Sequence, residues 1–251
     1  MKIFVVNDDS IFAEGLKTLV NVLAEKHEIY VAAPRLQQSA KSHALTMSDI
    51  ISVDEVHVFD HPNVKAQWAI SGTPADCVKI GAVKFEDIKF DVLLSGINHG
   101  PNLGIDTIYS GTVAAAIDGS FHGIRSIALS LFNEKPEGFK AGALFILEHL
   151  ETLLESHTWH GGILNINFPA EVPFKGVKIT TLGEVIYDNP VQKRLNPRGG
   201  EYYWIAGDVR IPENQHGTDV QAVKEGMVSI SALKFNFDDP KGTPLSQLEW
   251  S

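Results

Sequence analysis

Lys2-Ile-Phe-Val-Val-Asn-Asp-Asp-Ser10 is the stretch on which the fold turns. Lys2 to Val6 has the apolar run of a buried strand, and it ends directly in Asn7, Asp8 and Asp9. Adjacent carboxylates in such a place are costly. Each disfavours the other's ionisation, and each loses hydration near a core. Two offsets are open locally. Asp and Ser cap helices well, so the segment reads as a helix start. A bound divalent cation is the other offset, and the rest of the chain decides between them.

Phe12, Leu16, Leu19, Val20 and Leu23 recur on one face of a helix expected over residues 11–26. His27-Glu-Ile-Tyr-Val-Ala-Ala-Pro34 reads as a second strand. Strand, helix and strand in this compass make a βαβ unit, hence a parallel sheet. Open parallel sheets present ligands at the carboxyl ends of their strands. Asp8 and Asp9 lie at one such end. The hydroxyl-rich segment Arg35 to Thr46 lies at another, bringing Ser39 as an oxygen donor and His43 within reach of the cleft.

Further along, Ser71-Gly-Thr-Pro-Ala-Asp76 is a helix start, with Thr73 as N-cap, Pro74 at N1 and Asp76 at N3. Cys77, Ile80 and Val83 form the expected apolar stripe behind it. Asp91 to Ser95 is another buried strand, opening into Gly96-Ile-Asn-His-Gly-Pro-Asn-Leu-Gly-Ile-Asp106. Pro101 rules out a helix there, and the glycines let backbone approach a ligand. No Gly-Lys-Ser/Thr ending follows, so this is not a Walker loop. Ser110 then caps a helix beginning near Thr112, whose free N–H groups and hydroxyls suit an anion. Capping and phosphate binding are compatible at that point.

A strand at 126–131, a helix at 136–156 and a strand at 163–168 complete the alternating part. From about residue 176 the chain becomes β-rich, with runs at 177–181, 202–205 and 227–233. The expected fold is α/β, a Rossmann-like, mostly parallel sheet with flanking helices over about 1–175, and a β-rich extension over about 176–251.

Composition narrows the function. The chain has 251 residues, 44% of them hydrophobic, and a net charge of −10, with no Lys/Arg-rich run to bind a nucleic-acid polymer. Cys77 is the single cysteine, so no intrachain disulfide is possible. There is no signal-peptide pattern and no apolar stretch long enough to span a membrane, so a soluble, cytoplasmic protein is expected. His157 and His160 read as a solvated surface pair.

Asp8, Asp9, Ser39 and Asn98 would share one edge of the sheet. All are hard oxygen donors, which favours Mg²⁺ or Mn²⁺ over Zn²⁺. Asn102, Ser110 and Thr112 would then hold the oxygens of a phosphate. The implied chemistry is metal-assisted phosphoester hydrolysis, in which the cation polarises the phosphoryl group and lowers the pKa of a bound water. Water is the expected attacking group, with Asp8 or Asp9 assisting. Direct attack by Asp8 is the alternative.

The motifs Asn-Asp-Asp at 7–9, Ser39-Ala, Ser71-Gly-Thr-Pro-Ala-Asp-Cys-Val78, Ser95 to Gly104 and Tyr109-Ser-Gly-Thr-Val-Ala-Ala-Ala116 together resemble the SurE (survival protein E) nucleotidases. Asn196-Pro-Arg-Gly, Tyr202-Tyr-Trp204 and Thr218-Asp219 extend the match into the last third. The resemblance implies a divalent-metal-dependent phosphatase acting on nucleoside 5′- and often 3′-monophosphates, and a homodimer or homotetramer built through the β-rich extension. By motif, Asp8, Asp9, Ser39 and Asn98 match the metal ligands, holding one Mg²⁺ or Mn²⁺ per subunit. Asn102 and Ser110 match residues around the phosphate; Asp8, Asp9, Asn102 and Ser110 form the implied catalytic set. Ser42, His43, Gly111 and Thr112 fall on the implied phosphate side. Two departures stand out: Ser10, where the family carries glycine, and the loop after Ser39, where a glycine is usual and Ser42 stands. If either backbone takes positive φ, a side chain there costs free energy. The alternatives are a phosphatase for short polyphosphate or another small phosphoester, and a non-catalytic nucleotide-binding protein.

Overall fold

The computed structural model describes residues 1–132, 136–156, 159 and 161–236. The chain runs β1 (Lys2–Val6), α1 (Glu14–Ala24), β2 (Glu28–Pro34), β3 (Val53–Glu55), β4 (Val64–Ile70), α2 (Pro74–Lys84), β5 (Val92–His99), α3 (Asp106–Tyr109), α4 (Gly111–Phe121), β6 (Ser126–Leu131), α5 (Pro136–Ser156) and β7 (Gly162–Phe168). It continues through β8 (Val177–Thr180), β9 (Ile186–Asp188), β10 (Val191–Leu195), β11 (Glu201–Ile205), β12 (Asp208–Arg210), α6 (Asp219–Lys224) and β13 (Val228–Lys234).

Nine strands form one sheet in the order β3-β4-β2-β1-β5-β6-β7-β13-β8. From β4 to β7 every neighbouring pair is parallel. β1 is central because both its faces are apolar. Ile3 and Val5 pack with Leu16, Leu19 and Phe139 beneath α1 and α5. Phe4 and Val6, pointing the other way, pack with Cys77, Val78 and Ala115 of α2 and α4. This is the expected Rossmann-like α/β arrangement. It puts the ends of β1, β2 and β5 on one edge.

The local signals place the helices. Thr73 and Asp76 form the reciprocal capping box, with Pro74 inside the first turn. Ser110 Oγ accepts from the Val113 N–H at 3.0 Å and caps α4. Three expectations change. Phe12 lies before α1 and is 62% exposed, because the turn from Ser10 to Ala13 delays the helix to Glu14. Val83 is exposed although it continues the stripe of α2, since that end of the helix faces solvent. β5 extends to His99, past the point where the loop was expected, through an irregularity between Ser95 and Asn98. Gly96 makes that passage: its φ is +135°, and a Cβ would sit 2.3 Å from the Leu129 carbonyl oxygen.

Beyond residue 175, β13 pairs antiparallel with β7 and parallel with β8, so both strands widen the central sheet. β9–β12 and β10–β11 form separate two-stranded ribbons. The second of these exposes Tyr203, Trp204 and Ile205. His157 and His160 lie outside the described residues.

Candidate metal and phosphate site

Asp8 leaves the end of β1 almost fully buried, with 4% of its surface exposed. Gly111 of α4 comes so close that a Cβ there would lie 3.0 Å from the Asp8 side chain. Thr112 Oγ1 donates to Asp8 Oδ1 at 2.5 Å. The carboxylate therefore sits against the first turn of α4, at the positive end of the helix. Burial nevertheless pushes its pKa up to about 6; the Thr112 hydroxyl opposes that shift and the Asp9 charge adds to it. Asp9 is raised as well, by burial, against the stabilising backbone N–H of His99. That N–H donates to Asp9 Oδ2 at 2.8 Å.

Both carboxylates thus carry a desolvation cost. No lysine or arginine among the described residues shares a salt bridge with either. The oxygens around them fit a hard divalent cation. Gln37 Nε2 donates to Asp9 Oδ1 at 3.4 Å and to Ser39 Oγ at 3.0 Å. A positively polarised group therefore already stands between two of the expected donors. Asn98 turns its amide nitrogen to the Gly100 carbonyl at 2.9 Å, which aims its own oxygen the opposite way. Among the described residues, no cluster of three His, Cys, Asp or Glu side chains occurs, so a nitrogen- or sulfur-rich site is not formed there.

The remaining expected residues fall in three places. Ser110, Gly111 and Thr112 form the start of α4 beside Asp8. Ser42 joins them: its N–H donates to the Tyr109 carbonyl at 3.0 Å and its hydroxyl to the Ile108 carbonyl at 2.7 Å. His43 is engaged farther along α4, where its Nε2 lies 3.3 Å from Asp118 Oδ1 beside the Lys79 ammonium. Asn102 is 6% exposed and donates from Nδ2 to Ser130 Oγ at 2.7 Å. Its backbone is gripped by Asn165 and Asn167 of β7.

Four contributors, Gln37, His99, Asn165 and Asn167, are not among the residues that the sequence singles out for the site. Gln37 lies in the polar loop, but nothing in its spacing marks it. The His99 contact is made by backbone, which carries no side-chain signal. Asn165 and Asn167 alternate with Leu164, Ile166 and Phe168 on a buried strand, and that burial of two amides was the available clue.

An open, mostly parallel sheet with two adjacent carboxylates at a strand end, set against a helix N-terminus, defines an α/β protein of the Rossmann-like class. Residues 3–189 match the family profile described as survival protein SurE. The chain belongs to this SurE family. It is 42% identical to a 5′-nucleotidase SurE of Cyanothece sp., covering 96% of this chain and 93% of that one. It is 44% identical to a 5′-nucleotidase SurE of Pelotomaculum thermopropionicum, covering 96% and 92%. The crystal structure of the SurE protein from Aquifex aeolicus superposes with a TM-score of 0.81 at 34% identity, covering 96% of each chain.

Proposed function

We propose that this chain is a divalent-cation-dependent phosphomonoesterase that hydrolyses nucleoside 5′-monophosphates, and 3′-monophosphates as well, to nucleoside and phosphate. The relatives named 5′-nucleotidase support the 5′ activity. The observation that carries the reading is the buried Asp8, joined to α4 through Thr112 and adjacent to Asp9, with no lysine or arginine salt bridge among the described residues. Asp8, Asp9, Ser39 and Asn98 would hold one Mg²⁺ or Mn²⁺. When bound, that cation neutralises charge on the phosphoryl group and activates water.

The chain's own groups do the rest. The start of α4, with Ser110, Gly111 and Thr112, receives the non-bridging phosphate oxygens on backbone N–H groups and the Ser110 hydroxyl, while the Thr112 hydroxyl stays on Asp8. Ser42 holds the facing loop against Ile108 and Tyr109. Asn102 contributes the second hydrogen of its amide, and His43 flanks the substrate side. Asp8 or Asp9 would assist the attacking water, and the bond from Thr112 holds the Asp8 carboxylate in place. The domain is taken as one SurE-like unit spanning 1–251; after about 175, β8 and β13 belong to the central sheet, and the ribbons β9–β12 and β10–β11 form the arm.

Exposed Tyr203, Trp204 and Ile205 on β11 support a homodimer or homotetramer assembled through that arm. The single buried cysteine fits a reducing, cytoplasmic location. No helix among the described residues is long and apolar enough to cross a membrane.

The test is phosphate release from nucleoside 5′- and 3′-monophosphates, tripolyphosphate and p-nitrophenyl phosphate with Mg²⁺, Mn²⁺ or EDTA. Release that needs the cation and favours nucleotides is expected. Preference for tripolyphosphate would move the assignment to polyphosphate. Silence with Mn²⁺ bound would leave only a binding role.

A further inference from the structure

Asp219 is absent from the site described above, yet it touches the loop that builds it. Its side chain is fully buried. Oδ2 accepts the Gly104 N–H at 2.9 Å, while Oδ1 accepts the N–H groups of Gly183 at 2.7 Å and Val220 at 2.8 Å. The carboxylate is therefore bound by backbone N–H groups of two distant segments as well as its own helix, charge-assisted bonds that offset the cost of its burial. Capping accounts for the Val220 bond alone, since Asp219 is the first residue of α6. It does not account for Gly104, which lies 115 residues away in sequence.

Packing around the clamp is tight. A Cβ on Gly104, whose φ is +51°, would lie 2.4 Å from the Gly183 carbonyl oxygen. Leu103 is buried against Val220 and Val223 of α6. Just beyond, Tyr187 donates to Asp106 Oδ1 at 2.6 Å. The loop after β5 is thus fixed twice: at Asn102 by Asn165 and Asn167, and at Gly104 by a residue of the extension.

We infer that Asp219 is a positioning residue, whose carboxylate ties Gly104 to the C-terminal extension and so holds Asn98 and Asn102 in register with the Asp8–Asp9 crevice. This rests on the proposed cation site. It gives the extension a part in the chemistry separate from any assembly role. The small glycines at 104 and 183 are what allow the two backbones to meet on one carboxylate.

The test compares full-length Asp219→Asn with Thr218→Ala. The first keeps size but turns one acceptor into an NH₂ group facing an N–H donor. The second removes the hydroxyl that accepts from Gln221 N–H at 3.3 Å, weakening the same helix without touching Gly104. Mn²⁺ affinity is read by EPR titration, and hydrogen exchange at Gly104 by NMR. Asp219→Asn is expected to weaken Mn²⁺ binding at least tenfold and to speed Gly104 exchange, with the circular-dichroism spectrum retained. Thr218→Ala is expected to stay within twofold of the parent in Mn²⁺ affinity. Equal loss in both variants, or parental Mn²⁺ affinity in Asp219→Asn, would overturn the proposal. If Asp219→Asn does not fold, the parent decides: Gly104 should exchange as slowly as the β5 amides, and exchange at an unprotected loop rate refutes the clamp. A parent that binds no Mn²⁺ would sink the cation site instead. The clamp would then stand or fall on Gly104 exchange in Asp219→Asn.

Discussion

The Thr112 hydroxyl donates to Asp8 Oδ1 at 2.5 Å and joins the end of β1 to the first turn of α4. That bond favours the ionised carboxylate, against burial. Thr112→Val keeps the shape and removes the donor. Without that donor burial raises the Asp8 carboxyl further, so protons compete with Mn²⁺ near pH 7 and affinity should fall several-fold there, with the deficit shrinking as pH rises. Calorimetric titration with Mn²⁺ checks this, and an unchanged affinity would separate Thr112 from the cation site.

Asp8 also makes the cation-free protein pH-sensitive. Its carboxyl is raised from an ordinary 3.8 to about 6 by burial, so folding takes up a proton between those values. The contribution to stability is therefore highest below pH 4, falls as pH rises toward 6, and is level above that. Its size is on the order of 3 kcal/mol. In EDTA, Asp8→Asn should remove that part of the slope and unfold at a higher temperature than the parent at pH 7.5, while losing phosphatase activity. Thermal melts from pH 4.5 to 7.5 provide the comparison. A parallel pair of profiles would show that Asp8 is not titrating there.

Backbone strain separates two serines near the site. Ser10 has φ +110° and Ser42 has φ +53°. The expectation that a side chain at either position costs free energy therefore has its geometric condition met. Ser10→Gly relieves a conformation that costs a side chain about 1–2 kcal/mol. It gives up only the 3.3 Å acceptance from the Phe12 N–H. The melting midpoint should rise by about 2–4 °C. Ser42→Gly relieves a milder strain but loses the 2.7 Å bond to the Ile108 carbonyl, worth about 1 kcal/mol, so its midpoint should hardly move. A destabilised Ser10→Gly would mean the serine side chain contributes more than its one visible bond.

These positions show what local sequence carries and what it does not. An apolar strand ending in two carboxylates is a local pattern, and β1 with Asp8 follows from it. Thr73, Pro74 and Asp76 write their capping box in adjacent residues. The pairing of β13 with β7 has no such signature, because it depends on which edge remains open after β6 and β7 have packed. Gln37 and the His99 N–H escape notice for a related reason. One is an ordinary loop amide and the other is backbone, and only the folded geometry gives them a role. Phe12 fits the helical spacing of α1 but precedes it, since periodicity does not reveal where a turn delays the first helical residue.

Asn102 offers the sharpest contrast between neighbours. Its N–H donates to Asn167 Oδ1 at 2.8 Å, and its carbonyl accepts from Asn165 and Asn167 at 2.9 and 3.1 Å. Asn167→Ala would leave the Asn102 N–H buried without that acceptor, at a cost of about 1–3 kcal/mol. Asn165→Ala removes one of two donors to the same carbonyl, and with it an Oδ1 atom that has no partner among the described residues. Its cost should be under about 1 kcal/mol, because the carbonyl keeps Asn167 and one unsatisfied atom disappears. Thermal melts should therefore rank Asn167→Ala well below Asn165→Ala. Turnover should follow the same order, since the loop held at Asn102 continues directly from the end of β5 that carries Asn98. Equal losses in the two variants would show that the cavity left by each side chain, and not the Asn102 backbone, sets the cost.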